Sequence, residues 1–258
     1  MNHIEQSEML AHAVRAATCA ADAIREAFSR PRDTTRHKGG VDLVTATDEL
    51  AERIVRRELE GTFPVLGEEG GGPTIGDDVI WVVDPIDGTT NFVHSTPHVA
   101  VSIGLHGAPV GVVFDVMRNE CFATANGEAF LNDARLSPLA PPPLNSALLA
   151  SGFPYDRRET DDDNTEQWRA FMKRCQGVRR NGAAALDLAW VAAGRLDGYW
   201  EPRLKPWDLA AGVHLVRATG GVVTTYDGGV HRLDSPTLVC AAPPLHAEML
   251  EVLRHSQA

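Results

Sequence analysis

Cysteine is scarce and scattered in this chain of 258 residues: Cys19, Cys121, Cys175 and Cys240 stand far apart and form no CxxC pair. That spacing argues against a zinc ribbon or a disulfide framework and fits reduced thiols. Basic charge is also in short supply. Lys and Arg number 24 against 35 Asp and Glu, a formal net charge of −11, and a surface of that sign repels nucleic acid and anionic membranes. An anionic small-molecule substrate is not excluded, because a few bound cations invert the field inside one pocket. An acidic chain that handles phosphates therefore needs metal. No apolar run approaches the roughly 20 residues that span a bilayer. The opening MNHIEQSEML lacks the basic and apolar regions of a signal peptide, so a cytoplasmic location is expected. Internal repeats, low-complexity tracts and heptad arrays are missing too.

What remains is ordinary globular composition, 43% hydrophobic and 23% charged, with length for one or two domains. Residues 5 to 29 carry Leu10, Val14, Ala17, Ala21, Ile24 and Phe28 at helical spacing and predict one long amphipathic helix. The following RPRDTTRHKGG, residues 30 to 40, reads as a mobile loop, with Lys38 at its tip. A second helix is expected from Thr47 to Glu60, capped by Thr45 or Thr47, with Leu50, Ile54, Val55 and Leu59 facing inward. From residue 79 the pattern turns to strands: VIWVVD, VAVSIGLHG, APVGVVFDV and ECFATANG, the last ending in an Asn126-Gly127 hairpin turn. A proline-rich SPLAPPPLNS (residues 137 to 146) separates this part from a second. There the pattern reads strand SALLASGF, a helix at 164 to 174, helix AAALDLAWVAAG, strand GYWE, helix LAAGVHLVRATGG, strands GVVTTY and TLVCAA, and helix HAEMLEVLRH. This alternation predicts layered α/β or α+β architecture.

Four segments place carboxylates where a strand meets a turn or helix: Asp48 in VTATDEL, Glu68-Glu69 in LGEEGGG, Asp84 and Asp87 in VVDPIDGTTN, and Asp208 in LKPWDLAAG. Hard divalent cations such as Mg²⁺ take oxygen ligands, one or two carboxylates plus water and substrate phosphate. Pro85 restricts the backbone between Asp84 and Asp87, so both carboxylates and the Ile86 carbonyl can converge on one point. A helix beginning at Thr89 or Thr90 aims free N–H groups at a phosphate. Taken one at a time, each segment has a plainer reading: a capped turn at Asp87-Gly88, a solvated loop at Glu68-Glu69, a helix cap at Asp208, a first helical turn at Asp48.

Together, their order and wording resemble the inositol monophosphatase family of Mg²⁺-dependent, lithium-sensitive phosphatases. The resemblance is carried by Gly67-Glu68-Glu69, by Trp81-Val82-Val83-Asp84-Pro85-Ile86-Asp87-Gly88-Thr89-Thr90-Asn91-Phe92, and by Lys205-Pro206-Trp207-Asp208. Val41 to Asp48 and Ala185 to Ala189 match family wording as well. It implies one domain over residues 1–258, a layered α-β-α-β-α sandwich with subdomains at roughly 1–138 and 145–258, and a homodimer. It also implies that Glu68, Asp84 and the Ile86 carbonyl hold one metal. Asp84, Asp87 and Asp208 hold a second, and Glu68 helps a weaker third. Two such ions roughly 4 Å apart clamp the attacking and leaving oxygens of an in-line displacement. Asp48 and Thr89, with Glu68, are the implied catalytic residues orienting the attacking water. Glu68, Asp87, Gly88, Thr89, Ala184, Glu201 and Asp208 are the implied substrate contacts. The chain departs from common family wording in two places. Ala183 stands where a Ser or Thr hydroxyl is usual, and three glycines follow Glu69, which predicts a mobile loop there.

The expected activity is Mg²⁺-dependent hydrolysis of a small phosphorylated polyol, first of all myo-inositol monophosphate, with two or three ions per site. Histidinol phosphate, 3′-phosphoadenosine 5′-phosphate and fructose bisphosphate are substrates of relatives, and no evident basic cluster favours the bisphosphate sugar. A regulatory binding protein with an incidental site, and a Ca²⁺-stabilised structural protein, are the alternatives of other classes. His94 and His98 read as structural because Mg²⁺ disfavours imidazole. Trp190, Trp200 and Trp207 read as core, and Arg179-Arg180 as either an anion contact or a surface ion pair.

Overall fold

The computed structural model of the chain describes residues 1–30, 35–39 and 42–256, with backbone alone at 35–39 and 42. Helix α1 (His3–Phe28) starts in a reciprocal cap: Asn2 Oδ1 accepts the Glu5 N–H at 3.0 Å and Glu5 Oε2 accepts that of Asn2 at 2.8 Å. Its buried stripe is alanine-centred, Ala13, Ala16, Ala17, Ala20, Ala21 and Ile24, which lets the helix lie close on a sheet. The segment expected as a mobile loop instead contains β1 (Thr35–Gly39), antiparallel to β2 (Asp42–Thr45). Residues 31–34 and 40–41, and the Lys38 side chain, lie outside the described residues. Helix α2 (Ala46–Glu58) is capped by Thr45 as its sequence predicts. Its inner face departs from expectation: Val55 and Leu59 are buried, but Leu50 is 41% exposed, while Asp48 and Glu52 are buried.

Strands β3 (Val65–Gly67) and β4 (Ile80–Asp87), short helix α3 (Thr89–Val93), and strands β5 (Ala100–His106), β6 (Val110–Asp115), β7 (Glu120–Ala125), β8 (Glu128–Leu131) and β9 (Ala134–Arg135) follow. The seven strands from β3 to β9 pair in chain order, with β3 parallel to β4 and all later neighbours antiparallel. Asn126 and Gly127, at φ 56° and 77°, make the expected tight turn between β7 and β8.

The second sheet is built from β10 (Leu148–Ser151), β11 (Gly177–Arg179), β12 (Gly198–Pro202), β13 (Val222–Thr224) and β14 (Thr237–Ala241), in the order β11-β10-β12-β14-β13. Helices α4 (Thr165–Met172), α5 (Ala184–Ala192), α6 (Pro206–Ala218) and α7 (Pro243–His255) complete the chain. Helix α6 starts three residues earlier than its apolar pattern predicts, because Pro206 suits the first helical position.

The layers follow from which faces are apolar. One core cluster joins α1 and α2 to the outer face of the seven-stranded sheet. A second fills the middle, where α5 and α6 lie between the sheets. A third packs α4 and α7 on the far face of the five-stranded sheet. The result is the α-β-α-β-α sandwich.

Close packing of α6 depends on missing side chains. A Cβ at Gly104 would fall 2.6 Å from backbone atoms of Ala210 and Ala211, and one at Gly111 3.0 Å from Ala211 Cα. Buried Ser102 donates to the Trp207 carbonyl at 3.2 Å and fastens the first turn of α6 to β5. Gly104→Ala should therefore push α6 off the sheet and destabilise the chain by about 1–3 kcal/mol, the usual range for overpacking. Urea unfolding should show a lower midpoint at unchanged slope; an unmoved midpoint would refute this packing account.

Candidate active site

Strand β4 is buried along its whole length and delivers two carboxylates at its end. Asp84 pairs with Ser102 of β5 and Asp87 with Ala100, so Pro85 and Ile86 stand opposite the single residue Val101. This bulge at Pro85-Ile86 re-aims the chain and turns both acids toward the same side. Gly88 then caps α3 in the left-handed region at φ 95°. From the other half, β12 brings Glu201 and the start of α6 brings Asp208. These residues, with Glu68, Ile86, Thr89 and Ala184, line one cavity of about 210 Å³. Asp48 does not line it but reaches it through Thr89, whose hydroxyl lies 3.0 Å from Asp48 Oδ1 and 3.1 Å from the Ile86 carbonyl.

Three of the cavity's acids are each oriented through one oxygen by a backbone donor. The Ile86 N–H binds Asp84 Oδ1 at 3.0 Å, the Leu186 N–H binds Asp87 Oδ2 at 2.9 Å, and the Lys205 N–H binds Asp208 Oδ2 at 2.7 Å. Asp48 Oδ2 accepts the N–H and hydroxyl of Thr45 at 2.8 and 2.5 Å, which completes the cap of α2. Asp48 and Asp208 both stand at the third position of their helices, and the caps are Thr45 and Lys205. The first-turn reading of Asp48 therefore holds, while the N-cap reading of Asp208 is corrected: α6 begins at Pro206 and the Asp208 side chain reaches back to the cap. The N-termini of α3, α5 and α6 all open on it, at Gly88, Ala183-Ala184 and Lys205. Their free N–H groups and positive dipole ends favour an anion there.

The loop bearing Glu68 is held by two residues that the sequence reading missed. Buried Glu52 accepts the N–H groups of Glu69 and Gly70 at 2.7 and 2.9 Å, and the Arg56 guanidinium at 2.8 Å. Arg56 also donates to the carbonyls of Val65 and Gly71 at 3.1 and 2.6 Å. A Cβ at Gly70 would fall 2.5 Å from Glu52 Oε1. Gly70 therefore admits the Glu52 carboxylate, and the expected mobile loop is a tethered one. An acid and an arginine four apart on α2 were the available signal.

Burial dominates the electrostatics. It pushes Asp87 up to about 7 and Asp48 up to about 6, against hydrogen bonds from Leu186 and Thr45 respectively that pull down. Asp84 is raised by burial and then by Glu68, Asp87 and Asp208; Asp208 is raised by burial and then by Glu68. Burial also lifts Glu201 to about 7, against the Tyr199 hydroxyl and the Arg180 charge. Among the described residues no group of three His, Cys, Asp or Glu side chains is drawn together closely enough to hold a metal ion by itself. Yet the donor set fits a hard divalent cation, which completes its shell from a backbone carbonyl, water and phosphate. No histidine or cysteine is among the described residues of the wall. His94 is exposed and His98 is buried outside the cavity, 3.6 Å from Asp187. Trp200 is core, Trp190 is half-buried, and Trp207 lines the cavity.

A two-sheet sandwich with a carboxylate-lined cavity under three helix N-termini makes a site suited to a hard cation and an anionic group. Residues 5–258 match the family model described as "Inositol monophosphatase family". An "Inositol-1-monophosphatase" of Rhizobium meliloti (strain 1021) is 42% identical over 225 residues, covering 84% of this chain and 85% of that one. "Nus factor SuhB" of Escherichia coli (strain K12) is 39% identical over 255 residues, covering 95% and 96%. The solved inositol monophosphatase from Anabaena (Nostoc) sp. PCC 7120 superposes with a TM-score of 0.87 at 35% identity, covering 96% of each chain. The chain belongs to the inositol monophosphatase family, a family of metal-dependent phosphoric monoester hydrolases.

Carboxylates raised in the folded state stabilise fully below their unfolded value of about 4. That stability is lost as pH rises through the folded values, here to about 7 for Asp87. A cation that binds the ionised forms offsets this loss most where protons have left. The rise in Tm on adding Mg²⁺ should therefore be small at about pH 5 and grow toward about pH 8. A rise independent of pH, read by differential scanning fluorimetry, would dissociate these acids from metal binding.

Proposed function

We propose that the chain hydrolyses a small phosphorylated polyol, myo-inositol monophosphate first among them, with Mg²⁺ as its cofactor. The observation that carries this reading is one cavity in which Glu68, Asp84, Asp87 and Asp208 face three helix N-termini, with Glu201 on the opposite half of the wall. Glu68, Asp84 and the Ile86 carbonyl would hold one ion, and Asp84, Asp87 and Asp208 a second, with Glu68 assisting a third. Magnesium bound there supplies Lewis acidity toward phosphoryl oxygens and makes water more acidic.

The protein groups have separate tasks. Backbone N–H groups of Gly88 and Thr89 receive phosphate oxygens. A hydroxyl has one proton and two acceptor positions. When Thr89 donates to Asp48, its oxygen still accepts from water at the cavity wall, so the pair orients the water and passes its proton toward Asp48. Glu201 accepts hydrogen bonds from alcohol hydroxyls, and Ala184 lines the same end. With Ala183 in place of a hydroxyl residue, Glu201 becomes the main polar reader of that end. A homodimer in the cytoplasm is part of this reading. A regulatory binding role is the second reading, supported by the relatives named as Nus factors.

A panel of inositol 1-phosphate, histidinol phosphate, 3′-phosphoadenosine 5′-phosphate and fructose bisphosphate, with and without Mg²⁺, tests both. The highest kcat/KM is expected on inositol 1-phosphate. Another winner replaces the substrate, and no turnover together with a co-purifying protein favours the regulatory role. Asp87→Asn keeps an oxygen that can accept from Leu186 N–H but removes the charge. It should leave the fold intact and lower kcat about a hundredfold or more. Near-normal turnover would remove Asp87 from the metal site.

A further inference from the structure

Glu201 is held from two sides. The buried Tyr199, two residues earlier on β12, donates its hydroxyl to Glu201 Oε2. Just past the end of the neighbouring strand β10, Gly152 lies against the carboxylate, and a methyl group there would overlap it. Gly152 does not have positive φ, so space and not backbone conformation requires glycine. The Gly152 backbone is itself fixed: buried Asn164 donates to its carbonyl at 2.6 Å and to Ser151 Oγ at 2.8 Å, while the Trp200 indole N–H donates to Asn164 Oδ1 at 3.0 Å. Ser151 in turn donates to the Trp200 carbonyl at 2.5 Å. This closed set of buried hydrogen bonds spans β10 and β12 and sets the distance between Gly152 and Glu201. On the remaining side, Arg180 lines the same cavity and its charge favours the ionised carboxylate.

We propose that Tyr199 and Gly152 are positioning residues that set substrate choice by confining Glu201 to one rotamer, with one oxygen occupied and the other left to read an alcohol hydroxyl. The inference rests on the polyol reading given above. A fixed acceptor discriminates by what is lost when no donor meets it. An ester lacking the hydroxyl leaves a buried carboxylate oxygen unpaired, whereas a freely rotating carboxylate would swing to solvent or to Arg180 and reject nothing. Gly152→Ala displaces only the end of a flexible side chain, and Tyr199→Phe removes one hydroxyl from a packed ring, so neither change requires the backbone to move.

The test compares kcat/KM on inositol 1-phosphate with that on para-nitrophenyl phosphate, at saturating Mg²⁺, for the wild-type chain, Y199F, G152A, E201A and Y199F/E201A. The ratio should fall about tenfold in both Y199F and G152A, mainly through KM for the polyol ester. The double variant should show no further fall beyond E201A, because Tyr199 acts through Glu201. A ratio unmoved in both single variants, or losses that add in the double variant, overturns the proposal. Should Y199F fail to fold, G152A alone decides it. A wild-type chain that turns over para-nitrophenyl phosphate but not inositol 1-phosphate overturns the polyol reading instead, and the inference falls with it.

Discussion

Like charges crowded into a space with little water set the terms for the rest of this structure. Asp84 is 2% exposed and has Glu68, Asp87, Asp208 and Asp48 as its electrostatic neighbours. Removing a carboxylate from water disfavours its ionised form, and every additional carboxylate nearby disfavours it further. Such an arrangement is destabilising unless something of opposite sign is brought to it. The fold supplies part of that from its own backbone, through the N–H groups of Ile86, Leu186 and Lys205 and the positive ends of three helices. These are partial charges. They orient the acids without neutralising them, and the remaining negative charge suits the cavity to the divalent cation proposed above.

The architecture can be understood as the means of bringing those groups to one place. Asp84 and Asp87 end a strand of the seven-stranded sheet, while Glu201 ends a strand of the five-stranded one. Helices α5 and α6 lie between the sheets, and their first turns reach the cavity from the second half of the chain. Their placement depends on thinness: Gly104, Gly111, Ala210 and Ala211 let α6 sit nearly on the backbone of β5 and β6. A bulkier residue at any of these places would move Asp208 relative to Asp84. Packing deep in the middle layer therefore sets the geometry of charged groups at its edge.

The strand pattern after residue 79 and the order of elements could be read in the sequence because they depend on local spacing. Most acids of the cavity could be read because their separate segments carry family wording; Asp187, which also lines the cavity, had no signal of its own within Ala185 to Ala189. Leu50 shows where that fails. It fits the helical apolar stripe of α2, yet it points outward, because the inner face of that helix is taken by Asp48 and Glu52. Periodicity assumes that burial follows hydrophobicity, and a functional helix breaks that assumption. The tether of the glycine-rich loop was hidden for another reason. Glu52 is 17 residues from Glu69, and glycines look the same in sequence whether they confer mobility or make room. Tyr199 and Gly152 were hidden likewise, since Gly152 meets Glu201 only because β10, which ends one residue before it, pairs with β12.

Glu52 and Asp84 make the decisive comparison. Both are buried to nearly the same degree, at 3% and 2% exposure. Glu52 is surrounded by donors: two backbone N–H groups and a guanidinium, each within 2.9 Å. Its charge is answered by the protein, so its role is to hold a loop. Asp84 has one backbone donor and is otherwise surrounded by acids. Stability alone favours the first environment and gives no reason for the second, because an apolar residue at position 84 would relieve the repulsion at once. Under the metal reading proposed above, a buried acid among acids is kept for what it attracts from outside the chain. Burial by itself therefore does not separate structural from functional carboxylates here; whether the protein supplies the opposite charge does.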